Sequence, residues 1–246
     1  MTICFLKIEI FIQSGREALN LIYKSVLPIL FPFFVISGIL ITQTNNVFFI
    51  SLLTGYPNGA RITNILHKHS MISTAKARHI SSYTSTASPI FVIATVGGIF
   101  LNSILAGVLI FVSHISGAIF TGLLLMGKRE NDKKAIDNFD RIQFNFFECI
   151  KSILNVCGII FLFYVGSSLL GLSPFLSGIL EMTTGLSKTS NIFLACFLVS
   201  FGGISVGFQS RIFIKDFIDW KYYFFYKFLN ALFATAVLSI IYVFFI

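Results

Sequence analysis

The chain has 246 residues, a formal net charge of +8, 56% hydrophobic and 16% aromatic residues, and only 11% charged ones, less than half the ~25% of a soluble domain. Its charges leave five stretches bare, 25–60, 79–127, 152–180, 189–210 and 228–246, and about 20 apolar residues suffice to cross a bilayer. These figures exclude a soluble enzyme, a secreted disulfide scaffold and a nucleic-acid binder, and they make the excess of Lys and Arg a topology signal rather than a DNA-binding patch.

In chain order, residues 1–20 scatter Lys7, Glu9, Arg16 and Glu17 among apolar residues. That pattern lacks the order of a cleavable signal peptide and predicts an amphipathic interfacial helix. The first crossing is predicted at 21–42, with Pro28, Pro32 and Gly38 inside it. The second, 47–66, is interrupted by Thr54-Gly-Tyr-Pro-Asn-Gly-Ala-Arg61 and cannot be a regular helix throughout. A basic loop over 67–79 and a hydroxyl-rich approach, Ser81 to Pro89, lead into a pair of crossings over 90–126.

Lys128 to Arg141 holds nine charges in fourteen residues and reads as a solvated linker between two nearly equal halves. Beyond it, 145–170 crosses once, and 173–185, with Pro174 and Glu181, is too short to cross and reads as re-entrant or broken. The stretch 191–210 crosses with Gly202, Gly203 and Gly207 inside it, and 226–246 crosses last. The fold expected is an all-α polytopic membrane protein of about 7–8 transmembrane helices in two related halves: an interfacial helix at 1–20, a first membrane repeat at 21–127, a cytoplasmic linker at 128–143 and a second repeat at 144–246. With the N-terminus and linker both cytoplasmic, every Lys and Arg but Arg61 and Lys188 falls inside, as the positive-inside rule asks; Lys227 then sits at the cytoplasmic end of the last crossing.

The halves echo each other. Lys24-Ser-Val-Leu27 matches Lys151-Ser-Ile-Leu154, and Gly55-Tyr-Pro-Asn-Gly59 with Arg61 matches Gly203-Ile-Ser-Val-Gly207 with Gln209. Repeats with corresponding Gly/Pro-interrupted segments point to a transporter's substrate site, because unwound backbone at membrane depth is tolerated only around a cavity or within protein. For Gly203 and Gly207, close helix packing through small residues is the other reading. Glu181 is the one carboxylate away from the termini, the linker and the cytoplasmic ends of crossings, and an ionisable side chain at depth is a functional candidate. Arg61 is its basic counterpart, suited to holding an anion. His114, on an apolar helix, either relays protons or bonds a neighbouring helix. The four cysteines sit in apolar surroundings without paired spacing and read as buried thiols.

Four motifs in order, Ser51 to Arg61, Ser85 to Gly97, Leu180 to Gly185 and Ser200 to Gln209, resemble the YlbJ-type sporulation integral membrane proteins, which belong with the nucleoside-recognition (gate) domain proteins. The resemblance implies a multi-pass membrane protein of endospore-forming bacteria, associated with moving dipicolinic acid across the membrane around the developing spore. Together with the interruptions it makes Thr54, Gly55, Tyr56, Pro57, Asn58, Gly59, Arg61, Ser88, Pro89, Glu181, Thr183, Gly185, Gly202, Gly203, Ser205 and Gln209 the candidate substrate-binding residues. The expected function is secondary transport of a small organic anion; a membrane scaffold for spore or envelope assembly and a nucleoside-type transporter are the alternatives. No Walker sequence, zinc-protease helix or nucleophile elbow is present. Neither enzyme activity nor a cofactor, metal or nucleic-acid partner is expected; the bilayer and a small organic anion are, and oligomerisation is left open.

Overall fold

The computed structural model describes residues 2–43, 46–125 and 143–245, so the expected linker lies, but for Gln143, outside the described residues. Everything regular among them is helical. Helix α1 (Thr2–Leu21) passes through a π-helical turn (Ile22–Val26) into α2 (Leu27–Leu40). Next come α3 (Val47–Thr54), α4 (Asn58–Lys68), α5 (Thr74–Tyr83), a π-helix (Phe91–Phe100) and α6 (Ile104–Leu124). The remaining helices are α7 (Phe146–Leu169), α8 (Pro174–Leu180), α9 (Met182–Leu186), α10 (Ile192–Phe201), α11 (Gly203–Ile214) and α12 (Trp220–Phe245).

Polar residues placed between apolar runs start these helices. The side chains of Asn46, Ser73, Ser103, Asn145, Ser173, Glu181 and Asn191 each accept a hydrogen bond from a backbone N–H of the turn they open, supplying a partner that the first turn of a helix otherwise lacks.

Among the described residues four helices are long and apolar enough to cross a membrane: 104–124, 146–169, 192–214 (α10 and α11 together) and 220–244. Residues 7–24 and 27–40, bent by 47° at the π-helical turn, make a fifth if taken as one span. The chain is therefore a helical integral membrane protein. Among the described residues the predicted crossing at 47–66 and the first of the pair at 90–126 arrive as pieces of 8 to 11 residues, so the expected seven or eight spans are not all seen as membrane-length helices.

The bundle has two ends. At one, α5 meets the α11–α12 turn, where Arg78 Nε donates to the Phe217 carbonyl at 3.1 Å, and His79 meets the end of α6 at the Gly122 carbonyl, 2.9 Å away. Lys68 at the end of α4 and Glu148 and Lys151 at the start of α7 share a cavity there. At the other end, Phe193 at the start of α10 meets Tyr242 near the end of α12 edge to face, ring centroids 5.2 Å apart, and Gly97 of the π-helix abuts Gly107 of α6.

Two segments turn back instead of crossing. Helices α3 and α4 pack Val47 and Ile50 with Ile62 and Leu66, so the predicted second crossing is a hairpin that enters from the first end and returns to it. Helices α8 and α9 form a hairpin from the second end, tight enough that a Cβ on Gly185 would come within 2.2 Å of Gly178 Cα. The bent α1–α2 helix runs antiparallel to α7, with Gly15 beside Phe161 and Gly38 beside Phe144 and Cys149. That path sets the early part of α1 and the start of α7 at opposite ends, whereas the charge pattern put residues 1–20 and the linker on one face. It also makes α1 continuous with the first span, its face of Ser14, Gly15 and Ala18 buried.

Candidate functional site

The hairpin tips meet in the middle of the bundle. The first tip, Gly55-Tyr56-Pro57, turns through a cis Tyr56–Pro57 bond and a positive φ of 73° at Gly55. A Cβ there would stand 2.8 Å from the Ser88 backbone nitrogen, so only glycine lets this tip seat on the unwound stretch between α5 and the π-helix. The second tip is Glu181, with extended backbone between α8 and α9. Tyr56 Oη donates to Met182 Sδ at 2.6 Å and joins one tip to the other.

Glu181 is 2% exposed. Its Oε1 accepts from the Thr183 backbone N–H at 3.1 Å, and its Oε2 accepts from the Thr184 N–H at 2.7 Å and from Thr184 Oγ1 at 2.8 Å. A carboxylate is acceptor-only, and this one stands where backbone donors converge. Of its three partners only the Thr184 hydroxyl can reverse its role, accepting from a protonated Oε2 while both backbone donors stay satisfied.

The stretch Thr84 to Pro89 is held by three side chains from neighbouring helices. Lys227 of α12, 2% exposed, donates from Nζ to the Ser85 carbonyl at 2.8 Å, and the same ammonium lies 5.5 Å from the centre of the Tyr56 ring. Tyr223 Oη lies 3.3 Å from Ser85 Oγ and donates to Ser210 Oγ at 3.1 Å. His114 Nε2 accepts from the Ala87 N–H at 2.9 Å, which leaves Nδ1 as the protonated nitrogen of the neutral ring, 2.9 Å from Ser200 Oγ. His114 is thus a brace between α6, the unwound stretch and α10, the second of the two roles its sequence position allowed.

These interruptions enclose a cavity of about 70 Å³. Thr54, Gly55 and Tyr56 of the first tip line it, with Ala87, Ser88, Phe91 and Thr95 of the unwound stretch and its π-helix, Glu181, Met182 and Thr183 of the second tip, and Val206 and Gln209 of α11. Leu21, Val26, Ile29, Leu30 and Ile160 close the remaining side with apolar surface.

The structure thus gathers Thr54, Gly55, Tyr56, Ser88, Glu181, Thr183 and Gln209 of the residues singled out from sequence. The others stand behind them. Asn58 Oδ1 accepts from Ser37 Oγ at 3.1 Å, Gly59 packs on the Thr84 carbonyl and Gly185 on Gly178, and Ser205 Oγ accepts from Gln209 Nε2 at 3.2 Å. Pro57 and Pro89 follow the lining residues Tyr56 and Ser88. Gly202 and Gly203, with φ of 80° and 74°, interrupt the α10–α11 span. Gly203 faces the second tip, whereas Gly207 turns away to Phe224 and Trp220 of α12, so the two glycine motifs do not face each other along their length.

Arg61 is absent from this cavity and lines a second one. The cation nearest the tips is Lys227, which sequence reasoning placed at a membrane edge. Its missed signal is position: the helix begins at Trp220, so Lys227 lies two turns inside it on the same face as Tyr223.

Comparison with known proteins gives one partial likeness. An alignment 143 residues long, covering 48% of this chain and 35% of the other protein, is 24% identical to the sporulation integral membrane protein YlbJ of Bacillus subtilis (strain 168). The chain thus corresponds to about a third of the relative it matches. No family model matches the chain, and no solved structure does.

Proposed function

We propose that this protein is a secondary transporter of a small organic anion of the dipicolinate type, acting in sporulation. The observation that carries the reading is the meeting of two hairpin tips, entering from opposite ends, at one cavity that holds a buried carboxylate. A ligand reached from one side by withdrawing the first tip and from the other by withdrawing the second is the minimal requirement of alternating access. The partial likeness to a sporulation membrane protein supports the biological setting.

The chain order supports two related membrane repeats: bent helix, hairpin, interrupted helix and α6, then α7, hairpin, interrupted helix and α12. In that register the Gly55 tip corresponds to the Glu181 tip rather than to Gly203–Gly207, the pairing the sequence echo suggested, and the Thr84–Pro89 stretch corresponds to Gly202–Gly203. Counting the interrupted helices as spans yields six crossings and two re-entrant hairpins. The positive-inside rule then assigns the end bearing Lys68, Lys76, Arg78, Lys151, Arg211 and Lys215 to the cytoplasm, with α1 beginning outside.

At about 70 Å³ the cavity is far below the 300–1,000 Å³ of a drug-sized ligand site, so loading requires a tip to move. Lys227 supplies the positive charge for the anion from behind Tyr56, in place of Arg61, and Glu181 exchanges a proton through the Thr184 hydroxyl. The test is uptake of labelled dipicolinate into proteoliposomes, with and without an inward proton gradient and beside a labelled nucleoside. Gradient-stimulated dipicolinate uptake is expected; no uptake of either solute overturns the reading.

A further inference from the structure

A second cavity, about 340 Å³, opens at the first end between α4 and α7. At its inner wall lies Arg61, 6% exposed. Its guanidinium reaches the Phe34 carbonyl at 3.4 Å, Ser37 Oγ at 3.3 Å and Cys149 Sγ at 3.3 Å, and sits 5.6 Å from the centre of the Phe34 ring. All of these partners are neutral. A buried cation is costly unless an anion compensates it, yet the cavity adds positive charge: Lys68 and Lys151 also line it, against Glu148 as the one carboxylate among its described lining residues. Asn64, on the same wall and 7% exposed, has an Oδ1 without a hydrogen-bond partner.

We propose that this cavity binds a phosphate group, carried by the headgroup of an anionic phospholipid. The choice of anion follows from the guanidinium and two ammonium groups converging on one space, and the choice of a lipid from what adjoins it. Phe144 and Ile212 line the cavity and are 41% and 40% exposed, so polar and apolar surface meet as a headgroup and its acyl chains require. Free phosphate shares the headgroup's chemistry, and the experiment separates the two. The inference stands apart from the transport reading, because none of these side chains touches the central cavity.

The purified protein in detergent is titrated with phosphatidylglycerol, phosphatidylcholine or inorganic phosphate, and binding is read by native mass spectrometry and by the shift in unfolding temperature. Lys68→Gln/Lys151→Gln keeps Arg61 in place and changes only exposed side chains. Lys215→Gln/Lys221→Gln removes the same charge outside the cavity lining. Phosphatidylglycerol is expected to bind and stabilise the parent and the control alike, with the cavity variant weakened about tenfold or more. Stabilisation by inorganic phosphate without retained lipid, lost in the cavity variant, keeps the anion site and makes free phosphate its source. Equal binding of phosphatidylcholine, or equal losses in both variants, overturns the site.

Discussion

Tyr56 and Met182, 126 positions apart in sequence, touch through a hydroxyl-to-sulfur hydrogen bond of 2.6 Å. Each sits at the turn of a hairpin, and the two hairpins come from opposite ends of the bundle, so this contact closes the central cavity between them. Removing the hydroxyl while keeping the ring weakens the closure at a cost of about 1 kcal/mol. Tyr56→Phe is expected to fold normally and to raise, about fivefold, the rate at which a cysteine at Ser88 reacts with a small thiol reagent. An unchanged rate shows that this contact does not hold the tips together.

Glu181 caps α9 with both of its oxygens. Glutamine offers one oxygen to two backbone N–H groups and points its NH₂ at the other, leaving a buried donor unmatched for about 1–3 kcal/mol. Glu181→Gln is therefore expected to lower the unfolding temperature by several degrees, at about 2–4 °C per kcal/mol. It is also expected to flatten the pH profile of uptake, since the amide cannot exchange a proton. An unfolding temperature and a pH profile both equal to the parent's contradict the two roles at once.

Lys227 combines a buried stem with an ammonium on the Ser85 carbonyl. Lys227→Met keeps most of the packing but leaves that carbonyl without a donor, and a loss of about 1–3 kcal/mol follows. If Lys227 also provides the charge that attracts the anion, dipicolinate binding falls at least tenfold in membranes where the variant is correctly folded. Binding at parental strength removes Lys227 from the site and leaves it a structural brace.

Much of this arrangement was legible beforehand. Charge-free stretches mark the membrane segments, and the breakers Gly55, Pro57, Gly202 and Gly203 mark where helices stop, because φ restriction and missing donors act locally. The direction of each segment after its break is set elsewhere. Whether 47–66 crosses or doubles back depends on Ile62 and Leu66 finding Val47 and Ile50, a tertiary choice that no window of the sequence contains. The same limit explains Arg61 and Lys227. In the sequence Arg61 lies within a broken segment and Lys227 at the end of a crossing, and only packing against α7 and Tyr56 shows which cavity each belongs to.

The second hairpin supplies a stability test that leaves the cavity untouched. A methyl at Gly185 meets the Gly178 backbone at 2.2 Å, whereas Gly158 on α7 has nothing within 4 Å of its Cβ position. Gly185→Ala is expected to cost about 1–3 kcal/mol, since backbone cannot yield as a side chain does, while Gly158→Ala is neutral or stabilising. Thermal unfolding of the two variants in detergent decides it, and equal unfolding temperatures contradict the close hairpin.

We propose that one cavity, framed by two opposed hairpin tips, is reached in turn from each side of the membrane. Ser88, 4% exposed, lines it, and Ser88→Cys in a chain whose own cysteines are replaced places a thiol there with little change of volume. In sealed proteoliposomes of known orientation, a membrane-impermeant thiol reagent is applied from one side and then from the other, with and without dipicolinate. Slow labelling from both sides, with dipicolinate protecting against each, is the predicted result. Labelling from one side only, or from both with no protection, contradicts it.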